Sequence, residues 1–87
     1  MIEIDWYSAS WCGPCKKLVP IVSELRDQGY KINKYDIDEY QELASKNRVM
    51  AVPTMIFKKD GQEVNRMIGA KDRQAIMLHI KIGRAHV

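Results

Sequence analysis

Two cysteines stand three positions apart in Trp11-Cys12-Gly13-Pro14-Cys15, and no others occur in the 87 residues. A pair at i and i+3 lies one helical turn apart, within reach of a reversible disulfide. If Cys12 sits at a helix N-terminus, unsatisfied backbone N–H groups and the helix dipole favour its thiolate. That thiolate can attack a substrate disulfide to form a mixed disulfide, and Cys15 can then release the reduced substrate. Gly13 and Pro14 suit the entry, because proline is tolerated at the first helical positions. Two other chemistries use the same residues. Half of a zinc site would need two further ligands, and only His79 and His86 are available. A pair of inert buried thiols conflicts with placement at an exposed loop–helix junction.

The flanking pattern supplies that junction. From Ile2 to Tyr7, Ile2, Ile4 and Trp6 alternate with Glu3, Asp5 and Tyr7, which predicts a strand followed by the loop Ser8-Ala9-Ser10. From Gly13-Pro14 to about Asp27, Leu18, Ile21, Val22 and Leu25 fall at helical spacing, and Gly29 closes the segment. Pro20 lies inside it; the apolar stripe continues in phase, which predicts a kink. A second strand is expected over Lys31 to Ile37, and a short helix from Asp38-Glu39 to about Lys46 with Leu43 and Ala44 inward. Met55 to Phe57 and Val64 to Ile68 read as strands joined at Asp60-Gly61, a strong hairpin signal. Asp72 is placed to cap a final helix over Arg73 to Ile80. The order βαβαββα predicts an α/β fold: a four-stranded mixed sheet, order 2-1-3-4, with helices on both faces. A C-x-x-C within a βαβ unit is a redox signal rather than a scaffold.

Composition bounds the partners. The chain is 46% hydrophobic and 29% charged, which excludes collagen-like, mucin-like and disordered classes. No apolar run approaches the ~20 residues of a membrane helix, and Met1-Ile2-Glu3-Ile4-Asp5 does not read as a signal peptide. Fourteen basic residues interleave with 11 acidic ones, so the net charge of +3 describes a mixed surface rather than a nucleic-acid site. Ile82-Gly83-Arg84-Ala85-His86-Val87 resembles the translation of a common sequencing adapter. The expectation is therefore a domain over residues 1–80 and a non-native tail over 81–87. Removing the two positive charges of that tail, Lys81 and Arg84, takes +3 to +1.

Trp11-Cys12-Gly13-Pro14-Cys15-Lys16 resembles the active-site motif of the thioredoxin family. The likeness extends through Pro20, Ile37-Asp38, Val52-Pro53-Thr54, Phe57-Lys58, Asp60-Gly61 and Ile68-Gly69, covering about Ile2 to Ile80. The resemblance implies a thioredoxin-like fold, with Cys12 as nucleophile and Cys15 as resolving thiol. It implies a cis-proline at Pro53, presenting the Val52 backbone to a substrate strand by β-type hydrogen bonds. Trp11, Gly13, Pro14, Ala51, Val52, Gly69 and Ala70 resemble the family's flat apolar patch for partner proteins. The implied activity is a protein-disulfide reductase, monomeric and cytoplasmic, without cofactor or metal. Its partners would be disulfide-containing proteins and a thioredoxin-reductase-like electron donor, with no role for nucleic acid or membrane. A glutathione-dependent, glutaredoxin-like activity and a non-catalytic interaction subunit are the alternatives.

Two departures from the family pattern stand out. The family's fold opens with a further strand and helix before the motif strand, whereas here that strand begins at Ile2, so a minimal core is expected. The family's buried carboxylate, which assists proton transfer at the resolving cysteine, falls at Trp6, and Asp5 points to the opposite face. Lys34 falls where the family's partner lysine sits. Sequencing the source DNA tests the tail: adapter sequence is expected to replace the natural reading frame near Lys81, and a frame continuing through Val87 would refute this.

Overall fold

A computed structural model describes residues 1–85, in the order β1 (Ile2–Ser8), α1 (Gly13–Lys16), α2 (Val19–Asp27), β2 (Lys31–Asp36), α3 (Gln41–Lys46), β3 (Thr54–Lys59), β4 (Gln62–Ile68) and α4 (Arg73–Arg84). The sheet has the predicted order β2-β1-β3-β4. β1 runs parallel to β2 and antiparallel to β3, and β3 runs antiparallel to β4. Parallel neighbours need a crossover, and α1 and α2 form it between β1 and β2.

The two faces differ in cover. Ile2, Ile4 and Trp6 of β1 join Met55 and Phe57 of β3 beneath Leu18, Val22 and Leu25 from the first helical segment and Ile76 and Ile80 from α4. The opposite face packs Tyr7 and Ile56 against Ala44 of α3, with Tyr35, Leu43 and Val49 alongside. β1 is therefore not the half-polar strand that its alternation suggests: Asp5 and Tyr7 are buried as well as Ile4 and Trp6.

Three helix boundaries differ from the sequence pattern. The helix expected to run from Gly13 to Asp27 with a kink is interrupted at Lys17 and Leu18. Pro20 has no N–H to offer, and its ring opposes the carbonyl four residues earlier. The chain tightens through i−3 bonds, Lys17 N–H to Pro14 O and Leu18 N–H to Cys15 O, then restarts with Pro20 in its first turn. α3 begins at Gln41 rather than Asp38, because the Asp36 carboxylate accepts the Asp38 N–H at 2.8 Å and holds a turn first. α4 continues four residues past Ile80 to Arg84. Gly83 there lies so close to the sheet that a Cβ would stand 3.0 Å from Val64 Cγ2. The tail expectation at His86 and Val87 lies outside the described residues.

Other signals hold. Asp60 (φ 54°) and Gly61 (φ 83°) form the two-residue turn joining Lys59 to its partner Gln62. The Asp72 carboxylate accepts the Ala75 N–H at 2.9 Å as the α4 cap.

Beyond the reach of α3, its face of the sheet carries charge. Asp5 is nearly buried, with Lys58 Nζ at 2.9 Å and Asn33 Nδ2 at 3.0 Å, and Glu3 also accepts from Asn33. The hydrogen bond to Asp5 raises Lys58 above its ordinary value of 10.5. A cation held above its unfolded value stabilises the fold fully below that value and loses the contribution as pH rises through the raised one. Lys58→Met leaves Asp5 buried without its cation, an expected loss of about 1–3 kcal/mol in urea denaturation at pH 7. The gap between variant and wild type is expected to hold through neutrality and to close only above pH 10.5; a gap closing near pH 7 would assign it to another group.

Candidate active site

The chain leaves β1 at Ser8 and turns through Ala9 and Ser10, with the Cys12 N–H donating to Ala9 O at 3.1 Å. Cys12 is extended (φ −88°, ψ 106°) and stands as the N-cap of α1, with Pro14 in the first turn. Its Sγ accepts the Cys15 N–H at 3.1 Å, the bond an N-cap side chain makes to the third helical residue. Cys12 and Cys15 are joined as a disulfide, with Cα atoms 5.3 Å apart. The segment is exposed at Trp11, Gly13 and Pro14, but the cysteines themselves are only 4% and 3% exposed. Ala9, Ile37 and Val52 pack about them.

Ile37 and Val52 reach the disulfide from different elements. The Ile37 N–H donates to Ser8 O at 2.9 Å, carrying the β1–β2 ladder one residue past the strand and seating Ile37 beside the pair. The next residue, Asp38, accepts the Trp11 indole N–H at 3.0 Å, so a side chain that is 66% exposed is still held in place. Val52 precedes a cis peptide bond to Pro53, the bond implied at this position. Pro53 O accepts the Gly69 N–H at 2.8 Å, and the Thr54 hydroxyl donates to Ala51 O at 2.7 Å. Gly69 adopts a φ of +94°, which a residue with a Cβ rarely takes.

The sequence-predicted residues thus divide. Cys12, Cys15 and Val52 are in one cluster, and Pro53 is tied through its carbonyl to Gly69. Trp11, Gly13, Pro14, Ala51 and Ala70 are exposed, and Val52 and Gly69 partly so. Ile37 and Asp38 were expected to end a strand and start a helix; their roles come from contacts across the fold. In the sequence the pair is marked only by falling within the family likeness and by an acidic residue just past a parallel strand.

Trp6 is 2% exposed and lies in the main core, with its indole N–H unpaired among the described residues. Lys34 Nζ sits over its ring, 5.1 Å from the centroid. Trp6, Ser8, Cys15, Lys16 and Lys34 help line a cleft of about 160 Å³. Among the described residues no carboxylate lines it, and Asp5 is engaged by Lys58 on the other face. His79 belongs to α4, its ring stacked on Phe57 and its Nδ1 2.7 Å from Ala75 O. Among the described residues no group of three or more His, Cys, Asp or Glu could hold a metal ion.

With this geometry in hand, comparison with known proteins is specific. The thioredoxin family profile matches residues 2–82. The chain is 45% identical over 71 residues to the thioredoxin of Bacillus subtilis, spanning 78% of this chain and 68% of that protein. It is 39% identical over 72 residues to thioredoxin-1 of Saccharomyces cerevisiae, spanning 80% and 69%. Among solved structures, a point mutant of the Halobacterium salinarum thioredoxin superposes with a TM-score of 0.89 at 36% identity, covering 99% of this chain and 77% of that one. The thioredoxin of Fasciola hepatica gives 0.86 at 34%, covering 94% and 80%.

Thr54 is buried, and its hydroxyl satisfies the Ala51 carbonyl just ahead of the cis bond. Thr54→Val keeps the shape and removes the donor. The expected loss is about 1 kcal/mol in urea denaturation, with faster hydrogen exchange at the Val52 amide; unchanged stability and exchange would mean that water replaces the bond at no cost.

Proposed function

The chain belongs to the thioredoxin family and is a thiol–disulfide oxidoreductase that reduces disulfides, and from that premise we propose how its residues divide the work. In the reduced protein Cys12 is the nucleophile. The observation that carries this is the Cys15 N–H on Cys12 Sγ: the same donor favours a thiolate at that sulfur. Cys12 Sγ attacks one sulfur of the substrate disulfide, forming the mixed disulfide and releasing the other sulfur as a thiolate. Cys15 then attacks Cys12 Sγ, and the second substrate sulfur leaves. Two electrons pass from the dithiol to the substrate, each leaving thiolate takes up a proton, and the protein ends as the Cys12–Cys15 disulfide. An external dithiol, in the cell a thioredoxin-reductase-like donor, returns it to the reduced state.

Protein disulfides are the substrates this surface suits. Trp11, Gly13, Pro14, Ala51, Val52, Gly69 and Ala70 form the docking patch, and Pro53 holds Val52 so that its backbone pairs with an extended substrate segment. Gly-Pro between the cysteines puts no histidine beside Cys12, so its thiolate is less strongly stabilised, which favours a reducing pair over an oxidising one. The working form is a monomer in the cytoplasm.

Proton transfer at Cys15 departs from the family pattern. The cleft beside Cys15 is lined by Lys16 and Lys34 and, among the described residues, by no carboxylate, so deprotonation of Cys15 depends on water or another base. Resolution is then expected to quicken steadily as pH rises through neutrality.

Insulin reduction driven by dithiothreitol tests the assignment. Cys12→Ser is expected to abolish it, and Cys15→Ser to accumulate a mixed disulfide at Cys12. A Cys15→Ser protein that turns over like wild type would overturn the roles. Asp5→Asn is expected to leave the rate within about twofold, because its carboxylate faces away from the cleft; a tenfold loss would show that Asp5 serves Cys15 after all.

A further inference from the structure

The segment from Asn47 to Pro53 carries Val52 to the disulfide; Asn47 Nδ2–H donates to Tyr7 Oη at 3.1 Å, and Val49 packs beside Tyr7 and Ala44, but the stretch between them and Val52 is open. Arg48, Met50 and Ala51 are exposed, Met50 at 95%, and Arg48 holds a φ of +56°. At its far end it is tied to the residue just past β4 by the Gly69 N–H on Pro53 O. At its near end it is tied to the strand itself by one side chain, Arg66. The Arg66 guanidinium donates Nη2–H to Asn47 O at 2.9 Å and Nη1–H to Arg48 O at 3.3 Å. Its remaining edge is taken by Glu63, with Nε and Nη2 bonded to the two carboxylate oxygens at 2.6 and 2.7 Å. Anchors at Arg66 and Gly69, three residues apart, therefore bracket the loop that positions Val52.

The chemistry suits arginine in particular. A planar fork can meet a carboxylate on one edge while aiming other N–H groups at two carbonyls, and a lysine ammonium cannot do both in fixed geometry. Glu63 pre-orients the fork, so little side-chain freedom is lost when the carbonyls bind. These carbonyls follow the C-terminus of α3, where the helix dipole also favours a cation. A surface ion pair by itself contributes little to stability, so the consequence lies in where the loop is held.

We propose that Arg66, oriented by Glu63, is a positioning residue for disulfide reduction, fixing the 47–53 loop so that Val52 and Pro53 meet a protein substrate at the disulfide. The inference rests on the reading above that Val52 and Pro53 receive the substrate backbone. Arg66 touches neither cysteine, so its effect is confined to substrates that use the loop.

The experiment compares two substrates of the full chain, insulin and the small aromatic disulfide 5,5′-dithiobis(2-nitrobenzoate), across four proteins: wild type, Arg66→Gln, Arg66→Lys and Pro53→Ala. For Arg66→Gln the KM for insulin is expected to rise about five- to tenfold with kcat little changed, while the rate with the small disulfide stays within about twofold. Arg66→Lys is expected to fall between, since an ammonium can keep one carbonyl bond. Pro53→Ala is expected to raise the insulin KM as well. An insulin KM raised by Pro53→Ala but not by Arg66→Gln would overturn the role of Arg66 and leave the presentation reading standing. An insulin KM unmoved by Pro53→Ala would overturn the presentation reading and this inference with it. Equal losses on both substrates for Arg66→Gln would mark a merely structural residue and also overturn the inference. If Arg66→Gln does not fold, Arg66→Lys and Glu63→Gln carry the same comparison, each expected to raise the insulin KM selectively.

Discussion

β1 is hydrogen-bonded along both edges, to β2 in parallel and to β3 antiparallel, and is buried over most of both faces. The positions of all the functional residues are referred to its C-terminal end. On the β2 side, Ser8 O takes the Ile37 N–H, which brings Ile37 to the cysteines and Asp38 to Trp11. On the β3 side, Tyr7 stands opposite Thr54, which places Pro53 just past the end of that ladder. The cysteines follow from β1 itself through one short turn. A slip of one residue in either pairing would turn the slipped strand's faces over and draw its segment away from the cysteines.

That register needs a device to hold it, and the two faces supply different ones. Beneath α2 and α4 it is apolar packing, which follows area and tolerates small displacements of one side chain along another. On the other face it is Asp5 with Lys58 and Asn33, where hydrogen-bond geometry leaves little latitude. Burying a carboxylate against a lysine repays little in stability after the cost of desolvation. Its value here is specificity. Shifting β3 by one residue would carry Lys58 into the layer beneath α2 and α4, where no carboxylate faces it among the described residues. The same charges let this part of the sheet meet water without an apolar cover, which α3 is too short to provide.

Local signals were legible wherever a residue acts on its own neighbours. The alternation of Ile2, Ile4 and Trp6, the helical spacing of Leu18 to Leu25, the Asp60-Gly61 turn and the Asp72 cap each report a short-range preference for the element found there, although the alternation does not show that both faces of β1 are buried. The cysteine pair belongs with them, since its chemistry needs only one helical turn and a strand before it. Pro20 was legible as a fault but not as a full break, because the apolar stripe continues across Lys17 and Leu18 in either case. Contacts between distant positions were not legible. Trp11 finds Asp38 across 27 residues and Arg66 finds Asn47 across 19, and no periodicity encodes such pairs. Glu63 and Arg66 read equally well as a solvated pair on an exposed strand. Only the bulge between Phe57 and Lys58, which sets how β4 faces α3, gives the pair its direction.

The surroundings of Cys15 show how one substitution of residue type redistributes a task. Trp6 fills core volume that a carboxylate would leave wet, and it takes Lys34 against its ring without neutralising the lysine. The cleft beside Cys15 is thereby lined by two cations and, among the described residues, no anion. On the proposed roles a carboxylate would move the Cys15 proton at the moment of attack, and here that transfer depends on water or another base. On the same roles Cys15 is also the thiol that leaves when an incoming dithiol attacks the disulfide at Cys12, so whatever moves a proton in this cleft serves both resolution and the return to the reduced state.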